Sequence, residues 1–138
     1  MEIKQHVVLD TDFLSYYLIE KPSAIIIVES LIKQDLLPAT TVITKAEMFY
    51  GANKKNWGPK KFAKLRALFN SLLVYDFTSK SSEIYGKLRA KLMNSGADIG
   101  FADTAIASIT MEQKAILLTN NVDHFNRVET LDLIEYMP

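Results

Sequence analysis

Short apolar segments alternate with longer amphipathic segments along the 138-residue chain, and this alternation restricts the fold more than any other feature. The short segments are rich in β-branched residues and leucine, as in His6-Val7-Val8-Leu9, which is typical of a buried strand. The longer segments repeat apolar residues at helical spacing, as Ile84, Leu88 and Leu92 do. Strands separated by helices indicate βαβ crossovers. We therefore predict an α/β fold in three layers: a central, mainly parallel sheet of four to five strands, flanked by helices.

This pattern runs through residues 1–138 without a linker or an internal repeat, so we expect a single domain. Gly51 is predicted to end the third helix, and residues 52–58 are predicted to form a basic loop. Strands are predicted at residues 6–10, 36–42, 73–75, 115–118 and 133–136. Helices are predicted at residues 13–18, 24–34, 44–50, 60–71, from a cap at Thr78 through Leu92, and at 101–112.

Composition excludes several kinds of protein. Cysteine is absent, so a disulfide framework, a thiolate zinc site and a cysteine nucleophile are excluded. No apolar run approaches the roughly 18 residues that a membrane span needs, and no signal-peptide pattern opens the chain. We therefore expect a cytoplasmic protein without a membrane partner. Lysine plus arginine equals aspartate plus glutamate at 16 each, so a nucleic-acid binder would have to gather its basic residues on one face.

Polar residues follow the predicted strands one, two and four. Asp10 ends the first strand, Glu47 lies in the helix after the second, and Asp123 follows the fourth. Asp103 begins the alanine-rich helix at 101–112. In parallel sheets the active crevice lies beyond the carboxyl ends of the strands. We therefore expect these four carboxylates to converge at one edge of the sheet.

Carboxylates that converge repel one another, and such a cluster is tolerable mainly when a cation neutralises it. Hard oxygen ligands without cysteine or clustered histidine point to Mg²⁺ or Mn²⁺. Such ions are suited to phosphodiester hydrolysis, because one ion lowers the pKa of the attacking water and a second can stabilise the leaving oxygen.

Each acid also has a purely structural interpretation. Thr44-x-x-Glu47 matches a capping box, in which Glu47 would only satisfy a helix end. Asp103 and Asp98 could complement a helix dipole, an interpretation that we favour for Asp98, and Asp123 could be a turn residue. Asp10 is the hardest to explain in this way, since an acid that ends an apolar strand has no obvious structural duty.

Four short motifs together resemble the PIN-domain family, and most closely its VapC-type toxins. The likeness spans essentially the whole chain, in the right order and at the right length. The motifs are Val8-Leu9-Asp10-Thr11; Thr44-Lys45-Ala46-Glu47 with Tyr50-Gly51; Ile99-Gly100-Phe101-Ala102-Asp103 with Ile106-Ala107; and Leu118-Thr119-Asn120-Asn121 before Phe125.

The resemblance implies a PIN-like fold and a Mg²⁺- or Mn²⁺-dependent endoribonuclease that cleaves RNA, forms a homodimer and is held inactive by a cognate antitoxin. Asp10, Glu47 and Asp103 match the acidic triad of the family. Many relatives carry an aspartate where this chain has Asn121, so Asp123 becomes our candidate for the fourth acid and metal ligand. Supporting roles are expected for Thr11, Asp12, Asp98, Thr119 and Asn121, with Thr119 orienting an acid or a bound water.

Other interpretations stay open. A PIN-like fold can also serve as a catalytically silent RNA- or protein-binding module, or as a subunit of a processing complex, and Asn121 favours this alternative. A structure-selective DNA nuclease would need extra helices for which the chain has no room. Asp10-Thr11-Asp12 also resembles the nucleophile motif of haloacid-dehalogenase-type phosphatases, but only 19 residues follow Thr119, too few for the rest of that site.

The remaining polar groups give weaker signals. His124 adjoins Asp123 and could contact the site, but we favour a surface role for it. No glycine-rich phosphate loop is present. The apolar Ile26, Ile27, Phe49 and Tyr50 exceed what one small core needs and would suit a dimer seam or an antitoxin groove. A basic cluster around Trp57 would suit RNA phosphates, or would be a solvated helix face with Trp57 packed beneath it. Its members are Lys54, Lys55, Lys60, Lys61, Lys64 and Arg66.

Overall fold

Five parallel strands form one sheet in the computed structural model, which describes residues 5–138. The spatial order is β3-β2-β1-β4-β5, and each neighbouring pair is parallel. All five carboxyl ends therefore lie at the same edge of the sheet, and the predicted parallel sheet is confirmed. The strands are β1 His6–Leu9, β2 Leu37–Thr41, β3 Leu73–Tyr75, β4 Ile116–Thr119 and β5 Leu133–Glu135.

Seven helices accompany the sheet within residues 5–138. Six correspond to predicted helices, with ends that differ by a few residues. The third was predicted to stop at Gly51 but continues to Lys54, because buried Met48 and Ala52 hold this turn against the core. The seventh was not predicted, since one helical turn is too short to show periodicity. The helices are α1 Thr11–Leu18, α2 Pro22–Lys33, α3 Val42–Lys54, α4 Pro59–Asn70, α5 Ser79–Asn94, α6 Phe101–Glu112 and α7 Val122–Phe125.

Each face of the sheet has its own apolar core. Val7 and Leu9 of β1 join a cluster with buried residues of α1 to α4, whereas Val8, between them, joins a second cluster with α5 and α6. This alternation follows from the two-residue period of a strand, which directs successive side chains to opposite faces. The three-layer arrangement explains why the strand sequences are apolar without interruption. Among the described residues, no helix is long and apolar enough to cross a membrane.

The order of the strands reverses beside β1. The chain runs from β1 to β2 and β3 on one side, and then adds β4 and β5 on the other side. Such a reversal leaves a crevice beyond the carboxyl ends of the two central strands, where ligands of open α/β sheets bind. Leu9 pairs with Leu118 across this point, so the next residues, Asp10 and Thr119, face each other at the crevice.

Gly100 sets the start of α6, which carries Asp103 into the crevice. Its backbone has φ +86° and ψ 173°, a region that only glycine adopts without strain. The carbonyl of Gly100 then accepts both the backbone N–H and the hydroxyl of Thr104, at 3.2 and 2.6 Å. The backbone conformation of Gly100 and the bonds to its carbonyl therefore fix the residue at which α6 begins.

Gly100→Ala should lower the free energy of unfolding by about 1 to 3 kcal/mol, because alanine is strained at this φ. Gly86→Ala is the matched control. Gly86 occupies an exposed position in the middle of α5, and an added Cβ there would meet no atom within 4 Å. The control should raise the free energy of unfolding by about 0.5 to 1 kcal/mol, because alanine favours a helix. Urea unfolding measures both changes, and effects of the same sign would contradict this account.

Candidate active site

A cleft of about 180 Å³ opens at the carboxyl ends of β1 and β4. Four of its six lining residues are carboxylates, and they come from three separate stretches of the chain. The N-cap and first turn of α1 contribute two of them, the second turn of α3 contributes one, and the first turn of α6 contributes one. The lining residues are Asp10, Thr11, Asp12, Glu47, Asp103 and Asn121.

Asp10 is buried, with 4% of its surface exposed, and both carboxylate oxygens accept hydrogen bonds. The backbone N–H of Phe13 donates to Oδ1 at 3.0 Å, which makes Asp10 the N-cap of α1. The Thr119 hydroxyl donates a short hydrogen bond to Oδ2 from the end of β4. The expectation that Asp10 lacks a structural duty is therefore wrong, because this side chain joins β1, α1 and β4.

The pKa of Asp10 is raised from 3.8 to about 6. Burial is the largest cause, since it penalises the charged form, and the negative charges of Asp12 and Asp103 raise the pKa further. The hydrogen bonds from Thr119 and Phe13 act in the opposite direction. Asp10 and its neighbours therefore repel one another across the cleft, as expected of carboxylates gathered at one edge.

Glu47 lies in the second turn of α3, and its side chain accepts a hydrogen bond from the Thr11 hydroxyl at 2.6 Å. The N-cap of α3 is Thr41, whose hydroxyl accepts the N–H of Thr44, so the predicted capping box of Thr44 and Glu47 is wrong. Partial burial raises the pKa of Glu47, and the charges of Asp103 and Asp12 add to the rise, whereas the bond from Thr11 lowers it. Glu47 thus belongs to the same electrostatic cluster as Asp10.

Asp103 reaches the cleft from the first turn of α6, with a quarter of its side chain exposed. Its Oδ2 lies 2.8 Å from Nδ1 of His124 and 3.5 Å from Nδ2 of Asn121. His124 therefore contacts the site, although 40% of its side chain remains exposed at the surface. The sequence signal for this contact was the spacing of Asn121 and His124. Residues three apart lie on the same side of a helix, so both side chains can reach Asp103.

Three predicted site residues do not line the cleft. Asp123 is exposed on α7 and does not line the cleft, so its role as the fourth acid receives no support from this geometry. Asp98 pairs with Arg89 at 3.3 Å, and the hydrogen bond from Arg89 lowers its pKa. Asp98 therefore has a structural partner, but this partner is Arg89 and Asp98 lies before the first turn of α6, where we had favoured a contact with the helix dipole. Thr119 does not line the cleft but contacts Asp10 from beneath it.

The basic cluster lies on α3 and α4, beside the acidic cleft. Its six cationic side chains are exposed, while Trp57 is half-buried and packs against Phe62 with a ring separation of 6.5 Å. Lys61 lies over the Trp57 ring at 5.5 Å. A second cleft of about 330 Å³ contains both Lys55 and Trp57 and shares Thr11 and Glu47 with the acidic cleft. Of the two interpretations of the basic cluster, the structure shows the one in which Trp57 packs beneath a solvated face.

The chemistry of the donors suits a hard divalent cation. No lysine or arginine within residues 5–138 forms an ion pair with Asp10, Asp12, Glu47 or Asp103. In the described part of the chain, no three acidic or imidazole groups converge closely enough to enclose one ion by themselves. Mg²⁺ does not require such a cage, because it commonly keeps several waters and binds through one or two carboxylates together with substrate phosphates.

The model of the PIN domain matches residues 7–131, and thus includes all the carboxylates of the cleft. The chain belongs to the PIN-domain family. This PIN domain is 32% identical to ribonuclease VapC2 of Rickettsia felis, over 91% of the chain and 93% of the relative. It is 30% identical to ribonuclease VapC2 of Haemophilus influenzae, over 89% of the chain and 92% of that relative.

Solved structures give the same fold. A crystal structure of VapBC2 from Rickettsia felis, bound to a DNA fragment from its promoter, contains a chain that superposes on this PIN domain with a TM-score of 0.89. The two are 30% identical, over 96% of this chain and 100% of the other. A chain of VapBC-1 from nontypeable Haemophilus influenzae superposes with a TM-score of 0.83 at 25% identity, over 95% and 98% of the two chains.

Asp10 should make the metal-free protein less stable as the pH rises. Its pKa is about 6 in the folded chain and near 3.8 when unfolded, so the folded state binds more protons between these values. Stability is therefore lost between about pH 4 and pH 6 and stays lower above pH 6, by about 3 kcal/mol from this group. Asp10→Asn should remove this loss, since asparagine is also a good N-cap.

Urea unfolding in EDTA at pH 5 and at pH 7.5 measures this loss. Asp10→Asn should be less sensitive to pH than the unaltered protein, and at least as stable at pH 7.5. Asp132→Asn, a change at an exposed position outside the cleft, is the control and should keep the wild-type dependence. Equal pH dependence in the Asp10→Asn and unaltered proteins would show that Asp10 is not the cause.

Proposed function

We propose that this PIN domain is a metal-dependent endoribonuclease that hydrolyses RNA phosphodiester bonds, and that it is the toxin of a VapBC-type toxin–antitoxin pair. The observation that carries the proposal is the group of four carboxylates in one cleft, without a lysine or arginine partner among the described residues. Such a group repels the phosphates of RNA until a cation binds. The ribonuclease names of the relatives support RNA as the substrate.

Asp10, Glu47 and Asp103 would hold Mg²⁺ or Mn²⁺, and Asp12 would add negative charge at the rim. When bound, the ion supplies a Lewis acid that offsets the charge on the phosphate and lowers the pKa of the attacking water. Burial and neighbouring negative charges raise the pKa values of Asp10 and Glu47. A bound cation would offset this repulsion and favour the ionised carboxylates, so the raised pKa values fit a metal-binding role.

The neutral side chains of the cleft position the acids. Thr119 donates to Asp10 and Thr11 donates to Glu47, and both bonds favour the ionised carboxylate. Each hydroxyl fixes one oxygen of its carboxylate and leaves the other for its remaining partner or for the cation. Thr11 therefore supports Glu47, and Thr119 supports Asp10 in the role that its motif implied.

A cognate antitoxin is the second part of the proposal. Two of the similar chains come from VapBC complexes. The 330 Å³ cleft beside the acidic site is lined mainly by apolar side chains, among them Tyr16, Leu18 and Met48. Ile19, at its rim, and Tyr50 are both about two-thirds exposed. We propose that an antitoxin segment covers this surface and that the chain forms a homodimer. Co-purification with the product of the neighbouring reading frame would test the first point.

A catalytically silent binding module is the alternative, and Asn121 is the observation that favours it. An amide lines the cleft at position 121, where the family resemblance led us to expect an aspartate, so the negative charge there is smaller by one than expected. A silent module need not bind divalent ions. Calorimetric titration of the metal-free protein with Mn²⁺ separates the two functions, because only the nuclease requires binding at this cleft.

RNA cleavage should disappear on chelation and return with Mn²⁺ or Mg²⁺. Asp10→Asn and Asp103→Asn should each reduce the cleavage rate by at least about 100-fold, because each removes a charge that the ion requires. Cleavage of a labelled single-stranded RNA under single-turnover conditions measures the loss. Asp132→Asn is the control, since it removes an exposed carboxylate outside the cleft and should retain activity.

Full activity in both cleft variants would contradict the assignment of the site. Cleavage that persists in EDTA would contradict the need for a metal. Cleavage of single-stranded DNA at the rate seen with RNA would contradict the proposed substrate.

A further inference from the structure

We propose that His124 is a positioning residue, which holds Asp103 in the orientation that binds the divalent ion. His124 acts together with Thr119 and Asn121, and we call residues 119–124 the β4–α7 turn. Through this turn, one short stretch of chain orients two carboxylates, Asp10 and Asp103, that are far apart in the sequence. The inference rests on the proposed function, and its test below can fail separately.

The first half of the β4–α7 turn fixes Asp10. Thr119 is fully buried, and its oxygen accepts the backbone N–H of Asn121 at 2.9 Å. Because this bond uses the hydroxyl oxygen as an acceptor, the single hydroxyl proton is left to point at Asp10 Oδ2. The backbone of the turn therefore sets the direction in which Thr119 donates.

The second half of the turn fixes Asp103. A carboxylate oxygen only accepts hydrogen bonds, so the 2.8 Å contact requires Nδ1 of His124 to carry the proton. Nδ1 then cannot also accept from Nδ2 of Asn121, which lies 3.1 Å away. The Asn121 amide instead lies 3.5 Å from the same Oδ2 of Asp103. Both side chains therefore contact Oδ2 of Asp103, and Oδ1 remains available to a cation in the cleft.

Asp103 needs this support more than Asp10 does. Asp10 is buried and is held by a helix cap, whereas a quarter of the Asp103 side chain is exposed. Among the described residues, His124 and Asn121 are the only side chains recorded in hydrogen-bond contact with Asp103. Without them its carboxylate could rotate away, and the protein would have to order it again on each binding event. A ligand held in advance binds its ion more tightly.

A neutral donor suits this position better than another carboxylate would. The cleft already contains four acids, and an aspartate at position 121 would add a fifth negative charge beside Asp103. Asn121 and His124 fix Asp103 through hydrogen bonds and do not themselves need a cation. This arrangement also accounts for exposed Asp123: on a helix, neighbouring side chains point about 100° apart, so only one of residues 123 and 124 can face Asp103.

The test compares four variants at and near His124. His124→Asn keeps a nitrogen donor bonded to Cγ, at the position of Nδ1, whereas His124→Gln moves its donor one carbon further along. His124→Leu has a similar size and no donor. Asn126→Ala is the control, because Asn126 is exposed directly after α7 and its recorded bond uses only backbone. Far-UV circular dichroism checks the fold of each variant.

The readout is Mn²⁺ affinity without RNA, followed by the electron paramagnetic resonance of free Mn²⁺. We expect His124→Leu and His124→Gln to weaken binding by about 10-fold or more, the loss typical when a group that orients a metal ligand is removed. His124→Asn should retain most of the wild-type affinity, and Asn126→Ala should retain all of it. Rescue by asparagine but not by glutamine would support a donor at Nδ1, which a purely structural role would not require.

Two results would overturn the inference. If the unaltered protein binds no Mn²⁺, the proposed function fails and this inference fails with it. If the unaltered protein binds Mn²⁺ and folded His124→Leu and His124→Gln bind equally well, only the role of His124 is wrong.

Discussion

The buried carboxylate of Asp10 is the contact on which the rest of the site depends. It ends the central strand, caps α1 and receives the hydroxyl of Thr119 from β4. Its ionisation opposes folding at neutral pH, because burial raises its pKa to about 6. The charge of this buried acid beside the central strand therefore has to be offset within the site. The two hydrogen bonds provide part of the compensation, and a divalent cation in the cleft would provide the rest.

Much of this arrangement could be predicted from the sequence, because the residues that follow parallel strands all lie at the same edge of the sheet. Once apolar runs alternate with helices, the residue after each strand must lie at one edge, so Asp10 and Thr119 could be assigned there without coordinates. Asp103 followed in the same way from the start of its helix. These predictions required only the direction of the chain, which the period of the apolar residues defines well.

The details that failed concern where a helix begins or ends and which way a side chain points. Glu47 fitted a capping box by spacing, but α3 begins two residues earlier than Thr44, so Thr41 caps it instead. Asp123 and His124 are neighbours in sequence, and only the register of a one-turn helix decides which of them meets Asp103. Gly51 resembled a helix end, but packing of Met48 and Ala52 outweighs the small intrinsic cost of a helical glycine. Residue spacing alone therefore did not decide any of these cases.

The zero net charge of the chain conceals a separation of charge. Four acids line one cleft, whereas six exposed lysines and arginines lie on neighbouring α3 and α4 and in the loop between them. The groove that contains Lys55 meets the acidic cleft at Glu47. A strand of RNA attracted to the basic face would be repelled on reaching the carboxylates, and a bound cation would turn that repulsion into attraction. The same ion that balances the acids would therefore also decide whether the substrate can enter, so binding and catalysis would depend on one charge.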